Sequence, residues 1–123
     1  MNKRTILIAE DEKINLFYLK ILVNKISDYT PNILIARNGK EAVDLSRENH
    51  IDLILMDIKM PVMDGIEATR IIKTFKPDVK IIAQTAYFTS TDKITAMESG
   101  CDDFISKPIN KEEFYSLMKK YLR

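Results

Sequence analysis

IDLILMDIKMPVMDGIEATR, residues 51–70, is the stretch that decides the fold. It opens on an almost unbroken apolar run, 51–56, which suits a strand covered on both faces. The run stops at Asp57, passes through a loop containing Pro61, and meets Asp64 with Glu67 three residues on. A capping acceptor followed at that distance by Glu marks a helix start. The pattern predicts a helix over 66–75, so the stretch is a strand, a loop and a helix in succession. The same unit recurs on either side: apolar or β-branched runs at 5–9, 32–36, 79–84 and 103–106 predict four more strands. Helical patterns at 13–27, 39–49, 91–99 and 111–122 predict four more helices, two of them opened by Asn38 with Glu41 and Asn110 with Glu113. Such alternation predicts an α/β fold, a doubly wound five-stranded parallel sheet with five helices. Strand order does not follow from alternation itself.

At 123 residues the chain is the size of one domain, read as 1–123, and its 46% hydrophobic content supplies a core. Disorder is excluded as a global description. With 19 Lys and Arg against 18 Asp and Glu, the charge of +1 is not the footprint of direct nucleic-acid binding. Cys101 is the single cysteine, so there is no disulfide framework and no thiolate metal cluster. A reducing, cytoplasmic setting is the expectation. The apolar run after Lys3 and Arg4 is too short for a signal core or a membrane span, and no membrane contact is expected.

In an open α/β sheet, ligands bind beyond the carboxyl ends of the strands. There the first strand runs into Glu10, Asp11 and Glu12, the third ends at Asp57, the fourth at Thr85, and the fifth is followed by Lys107 and Pro108. An Asp after a strand is ordinarily a helix cap, but Asp64 already fills that role for the helix after Asp57. If the first and third strands are neighbours, carboxylates about 4 Å apart repel by roughly 4 kcal/mol at an effective dielectric near 20. A cation would offset this, and oxygen ligands with waters retained fit Mg²⁺. Carboxylate, metal, lysine and hydroxyl around an open position suit a transferring phosphoryl group. Asp57 is the candidate nucleophile, with Lys107 and Thr85 stabilising the phosphoryl oxygens.

At these residues the chain resembles the receiver domains of bacterial two-component response regulators along essentially its whole length. The resemblance rests on Glu10 with Asp11, MDIKMPVMDG at 56–65, Thr85 with Ala86, and GCDDFISKPI at 100–109. It implies a flavodoxin-like sheet of order 2-1-3-4-5, with Asp57 as phosphoacceptor and Lys107 as its phosphate-pairing lysine. It further implies Glu10, Asp11, Asp57 and the backbone carbonyl of Lys59 as the Mg²⁺ site, Thr85 as the switch hydroxyl and Phe104 as the switch aromatic. Glu10 stands where Asp is commoner, which favours a water-mediated metal contact. The implied partner is a histidine kinase or histidine phosphotransfer domain, with room for a weak homodimer. Such a domain catalyses its own phosphorylation and slow dephosphorylation. Asn15, EATR at 67–70 and Gln84 to Ala86 resemble receivers of hybrid sensor kinases more than those of transcription regulators. A free-standing single-domain regulator is the alternative.

A flavodoxin-type cofactor binder would need a phosphate loop after the first strand, where this chain is acidic. An aspartyl phosphatase would need a second Asp two residues after Asp57, and Lys59 stands there. A pseudo-receiver without phosphotransfer is opposed by the intact acid, hydroxyl and lysine. His50 has no partner at ligand spacing, Cys101 suits packing, and Lys119, Lys120 and Arg123 complement a helix dipole. The Lys107–Pro108 bond is expected to be cis. The helix at 13–27 carries two apolar stripes: Leu16, Leu19, Val23 and Ile26, and Ile14, Phe17, Tyr18 and Ile21. A surface helix needs one, and the second predicts either deep packing or a docking face for a histidine-bearing helix pair. Lys59 and Tyr87, two beyond Asp57 and Thr85, are poor at orienting water, which predicts slow loss of the phosphoryl group.

Overall fold

Each predicted run forms its element, with shifts of a few residues at the ends. The computed structural model describes residues 3–26, 28–86 and 89–122; Tyr87, Arg123 and Ser27, where the helix read at 13–27 would end, lie outside them. In chain order the elements are β1 Lys3–Ala9, α1 Lys13–Asn24, β2 Thr30–Ala36, α2 Gly39–Glu48, β3 Leu53–Asp57, α3 Gly65–Phe75, β4 Lys80–Thr85, α4 Ser90–Ser99, β5 Asp103–Ser106 and α5 Lys111–Tyr121. The strands make one sheet of order β2-β1-β3-β4-β5, with every pair parallel. This is the doubly wound α/β architecture and the strand order expected from the resemblance.

The shifted ends have local causes. β2 begins at Thr30 and so includes Pro31. It is an edge strand, where a residue without an N–H need not break a ladder bond. α1 stops at Asn24 because the chain tightens there, with Lys25 N–H donating to Leu22 O and Ile26 N–H to Val23 O over three residues. The caps at Asn38, Asp64 and Asn110 form as expected, each side chain accepting from the backbone N–H three residues on at 2.8–2.9 Å. α4 starts one residue earlier than predicted, on a reciprocal box between Thr89 and Asp92.

The sheet separates two apolar layers. On one face Ile6, Ile8, Leu53, Leu55, Ile82 and Ile105 pack against α1 and α5 through Leu16, Leu19, Val23, Phe114 and Met118. On the other, Leu7, Ile54, Met56, Ile81 and Ala83 pack against α2, α3 and α4. Burying each large side chain contributes about 1.5–3 kcal/mol. Among the described residues no helix is long and apolar enough to cross a membrane.

Candidate functional site

Strand periodicity builds the site. Ile8, Leu55, Ile82 and Ile105 point to the α1/α5 face, and two residues further along the same side are Glu10, Asp57, Gln84 and Lys107. The parallel register places these ends side by side, with Ala9 opposite Met56 and Asp57 opposite Gln84. Four apolar rows thus end in one polar row at the rim of the sheet.

Glu10 is fully buried and Asp57 is 3% exposed. The Lys107 ammonium donates to both, lying 3.0 Å from Glu10 Oε1 and 3.1 Å from Asp57 Oδ2. Asp57 Oδ1 accepts from Lys59 N–H at 3.2 Å, and Glu10 Oε2 from Glu12 N–H at 3.1 Å. The Glu12 side chain itself is exposed. Asn15 Nδ2 donates to Glu10 Oε1 and, at 3.2 Å, to Gln84 Oε1. Asp11 is exposed, yet one oxygen from each of Glu10, Asp11 and Asp57 lies within 4.8 Å of the others. Beside them Asp11, Lys59, Met60, Pro61 and Asp64 line an open cleft of about 570 Å³.

Three carboxylates against one ammonium set the electrostatics. Burial, then the hydrogen bond and charge of Glu10, push the Asp57 carboxyl up to about 7 against the pull of Lys107. Burial also acts to raise Glu10, but hydrogen bonds with Asp57, Asn15, Glu12 N–H and Lys107 outweigh it and hold that carboxyl below its ordinary 4.5. Burial acts to lower Lys107, and its bonds and charge contacts with Glu10 and Asp57 reverse that, raising it above 10.5. Burial and the neighbouring Glu10 thus work against the charged form of Asp57, while the hydrogen bonds around Glu10 favour its charged form.

Backbone geometry holds the rim together. A Cβ on Gly65 would lie 2.0 Å from the Asp57 carbonyl oxygen, so the first turn of α3 passes the end of β3 at a distance only glycine allows. Thr85 is buried at the end of β4, and its carbonyl accepts from Lys107 N–H at 2.8 Å. The Lys107–Pro108 peptide bond is cis. Phe104 is partly buried in the α2, α3 and α4 layer, with Lys93 Nζ 5.2 Å from its ring centroid.

The structure therefore brings Glu10, Asp11, Asp57 and Lys107 together, with Thr85 and Lys59 flanking them. His50 is exposed and pairs with Asp52 at 3.1 Å. Cys101 is buried, and burial together with Asp102 and Asp103 pushes its thiol up to about 11, against reactivity. Asn15 and Gln84 were not singled out as site residues from sequence. The signals for them are a polar residue in the first turn of α1 and an amide directly after the apolar run of β4.

The model of the response regulator receiver domain matches residues 6–119. The polar-differentiation response regulator DivK of Brucella ovis is 36% identical over 121 residues, covering 97% of this chain and 96% of DivK. Among solved structures, the receiver domain of a sensor histidine kinase from Pseudomonas aeruginosa PAO1, with magnesium coordinated in its active site cleft, is 27% identical. It has a TM-score of 0.89 and covers 98% of either chain. The receiver domain of Saccharomyces cerevisiae Ssk1, crystallised with the histidine phosphotransfer protein Ypd1, is 35% identical. There the TM-score is 0.80, with 97% of this chain and 86% of that one covered. With a family model along nearly its whole length and relatives matched almost end to end, the chain belongs to the response regulator receiver domain family and works in phosphorelay signalling.

Proposed function

We propose that Asp57 accepts the phosphoryl group, in a reaction that uses Mg²⁺. The observation that carries this is the placement of the Asp57 carboxylate, at a strand end beside an open cleft and against the Lys107 ammonium. In the transfer the phosphorus–nitrogen bond of a phosphohistidine breaks, a phosphorus–oxygen bond to Asp57 forms, and the imidazole leaves with its electron pair and takes up a proton. Lys107 neutralises a phosphoryl oxygen as charge builds, and the Thr85 hydroxyl donates to another.

The donor set suits a hard divalent ion, because Glu10, Asp11 and Asp57 offer only oxygen within 4.8 Å. When bound, Mg²⁺ supplies charge neutralisation among the acids and at the phosphoryl oxygens. Asp11, Asp57 and the Lys59 carbonyl are the direct ligands in this reading. The Glu10 oxygens already accept from Asn15, Lys107 and Glu12, which favours contact through water.

The donor is a histidine kinase or histidine phosphotransfer domain, and it docks on α1. Ile14 is 82% and Phe17 66% exposed, while Tyr18, at 37%, is not fully buried. This apolar face begins in the first turn of α1, directly after the acids. The Ssk1 receiver, solved with its phosphotransfer partner, is a relative that supports the pairing. Motif wording favours a hybrid-kinase receiver in the cytoplasm. The match to 96% of the DivK chain favours the free-standing alternative. Coding sequence on either side of these residues decides between them.

Mass spectrometry after incubation with acetyl phosphate and Mg²⁺ tests the assignment. One phosphoryl group is expected on wild type and none on Asp57→Asn. Unchanged labelling of Asp57→Asn, or labelling in excess EDTA, would sink it. Phe17→Ala combined with Tyr18→Ala is expected to slow transfer from a phosphorylated histidine domain about tenfold, with acetyl phosphate labelling unchanged. Equal transfer rates would remove α1 as the docking face.

A further inference from the structure

Gln84 is out of place in a purely apolar account of the sheet. It follows Ile82 on the α1/α5 face and is 2% exposed, and its Nε2 has no hydrogen-bond partner among the described residues. A leucine there would extend the row of Ile82 and Leu55, whereas an amide gives up hydration at one end for nothing. The carbonyl end is what the structure uses. Gln84 Oε1 accepts from Asn15 Nδ2 at 3.2 Å, and the same NH₂ group gives its other hydrogen to Glu10 Oε1. Two acceptors converging on one NH₂ leave the Asn15 carboxamide a single orientation.

We propose that Asn15 and Gln84 are positioning residues for metal binding at this site. The amide pair, one member on α1 and one on β4, holds the Glu10 carboxylate, and through it the Lys107 ammonium that Glu10 shares with Asp57. This rests on the reading of Asp57 and its metal given above. A Glu side chain has one more rotatable bond than Asp, so its carboxylate needs outside support to stay in one rotamer. Asn15 adds to the support that Glu12 N–H and Lys107 give, and Gln84 is the stop that keeps Asn15 turned toward Glu10. Neither amide makes a hydrogen bond to Asp57, so both act through Glu10 and Lys107.

The test combines calorimetric Mg²⁺ titration of the full chain, thermal melting in EDTA, and ¹H–¹⁵N spectra of the side-chain amides. Gln84→Leu is expected to bind Mg²⁺ about tenfold more weakly and to move the Asn15 amide signals. Its metal-free melting temperature is expected to stay unchanged or rise, because the unpartnered amide is gone. Asn15→Ala is expected to lose as much affinity, and the double variant no more than Asn15→Ala alone. Wild-type affinity in Gln84→Leu and Asn15→Ala, losses that add, or a loss that merely tracks a fall in melting temperature would each overturn the proposal. A wild-type chain that neither binds Mg²⁺ nor takes label from acetyl phosphate overturns the functional reading, and this inference with it. Wild type doing both while the variants match it overturns this inference alone.

Discussion

A carboxyl group whose folded pKa lies above its unfolded value binds its proton more tightly in the native state, so stability falls as pH rises between the two. For Asp57 that window runs from 3.8 to about 7. Glu10 has the opposite sign, since its pKa is depressed; its contribution is present above 4.5 and lost in more acid solution. Without divalent ions, unfolding free energy is therefore expected to decline from pH 5 to pH 7.5, with a slope approaching about 1.4 kcal/mol per pH unit at most. Asp57→Asn flattens the decline, and Mg²⁺ restores stability at pH 7.5 far more than at pH 5. Urea titrations across that range check this, and identical profiles for wild type and Asp57→Asn would contradict it. Lys107 sits on the favourable side of the same balance. Lys107→Ala is expected to leave acetyl phosphate labelling measurable while removing the structural response to it, read as amide shift changes on phosphorylation.

The connection between β3 and α3 concentrates what is unusual about the elements. Val62 is 80% exposed at φ 69°, and Met63 N–H donates across it to Pro61 O at 2.7 Å, a three-residue turn that a β-branched side chain resists. Val62→Gly is expected to stabilise the fold by about 0.5–1 kcal/mol, the relief of strain being partly offset by a freer unfolded chain. Gly65→Ala carries the opposite sign, because its Cβ would fall 2.0 Å from a backbone oxygen that cannot step aside. A loss of roughly 3 kcal/mol or more is expected, and denaturant midpoints separate the pair. Sequence shows such elements unevenly. Asn38, Asp64 and Asn110 are legible as caps because donor and acceptor lie three residues apart. The start of α4 is less legible, because its box closes on Asp92 and not on Glu. The start of β2 depended on Pro31 lying at a sheet edge, which no local pattern reveals.

At the scale of the molecule, the same contrast governs the site. Glu10, Asp11, Asp57, Thr85 and Lys107 were legible because each stands at or just beyond the end of an apolar run, where any parallel sheet must place its chemistry. Asn15 and Gln84 were not, since they are 69 residues apart and meet only once α1 lies over β4. The sheet that joins them contains no hairpin. Every neighbouring pair is parallel, and β1 alone bonds to β2 on one side and β3 on the other. No strand can find a neighbour until an intervening segment has closed a long loop, and β1 offers the first two places where that closure is rewarded. Ile8→Ala in β1 is accordingly expected to slow refolding. Ile105→Ala in the four-residue β5 should chiefly hasten unfolding, a contrast that stopped-flow chevrons would show or refute. On that expectation β1, the strand that runs into Glu10, is also where folding nucleates, and changes at that rim are read first in how fast the chain assembles.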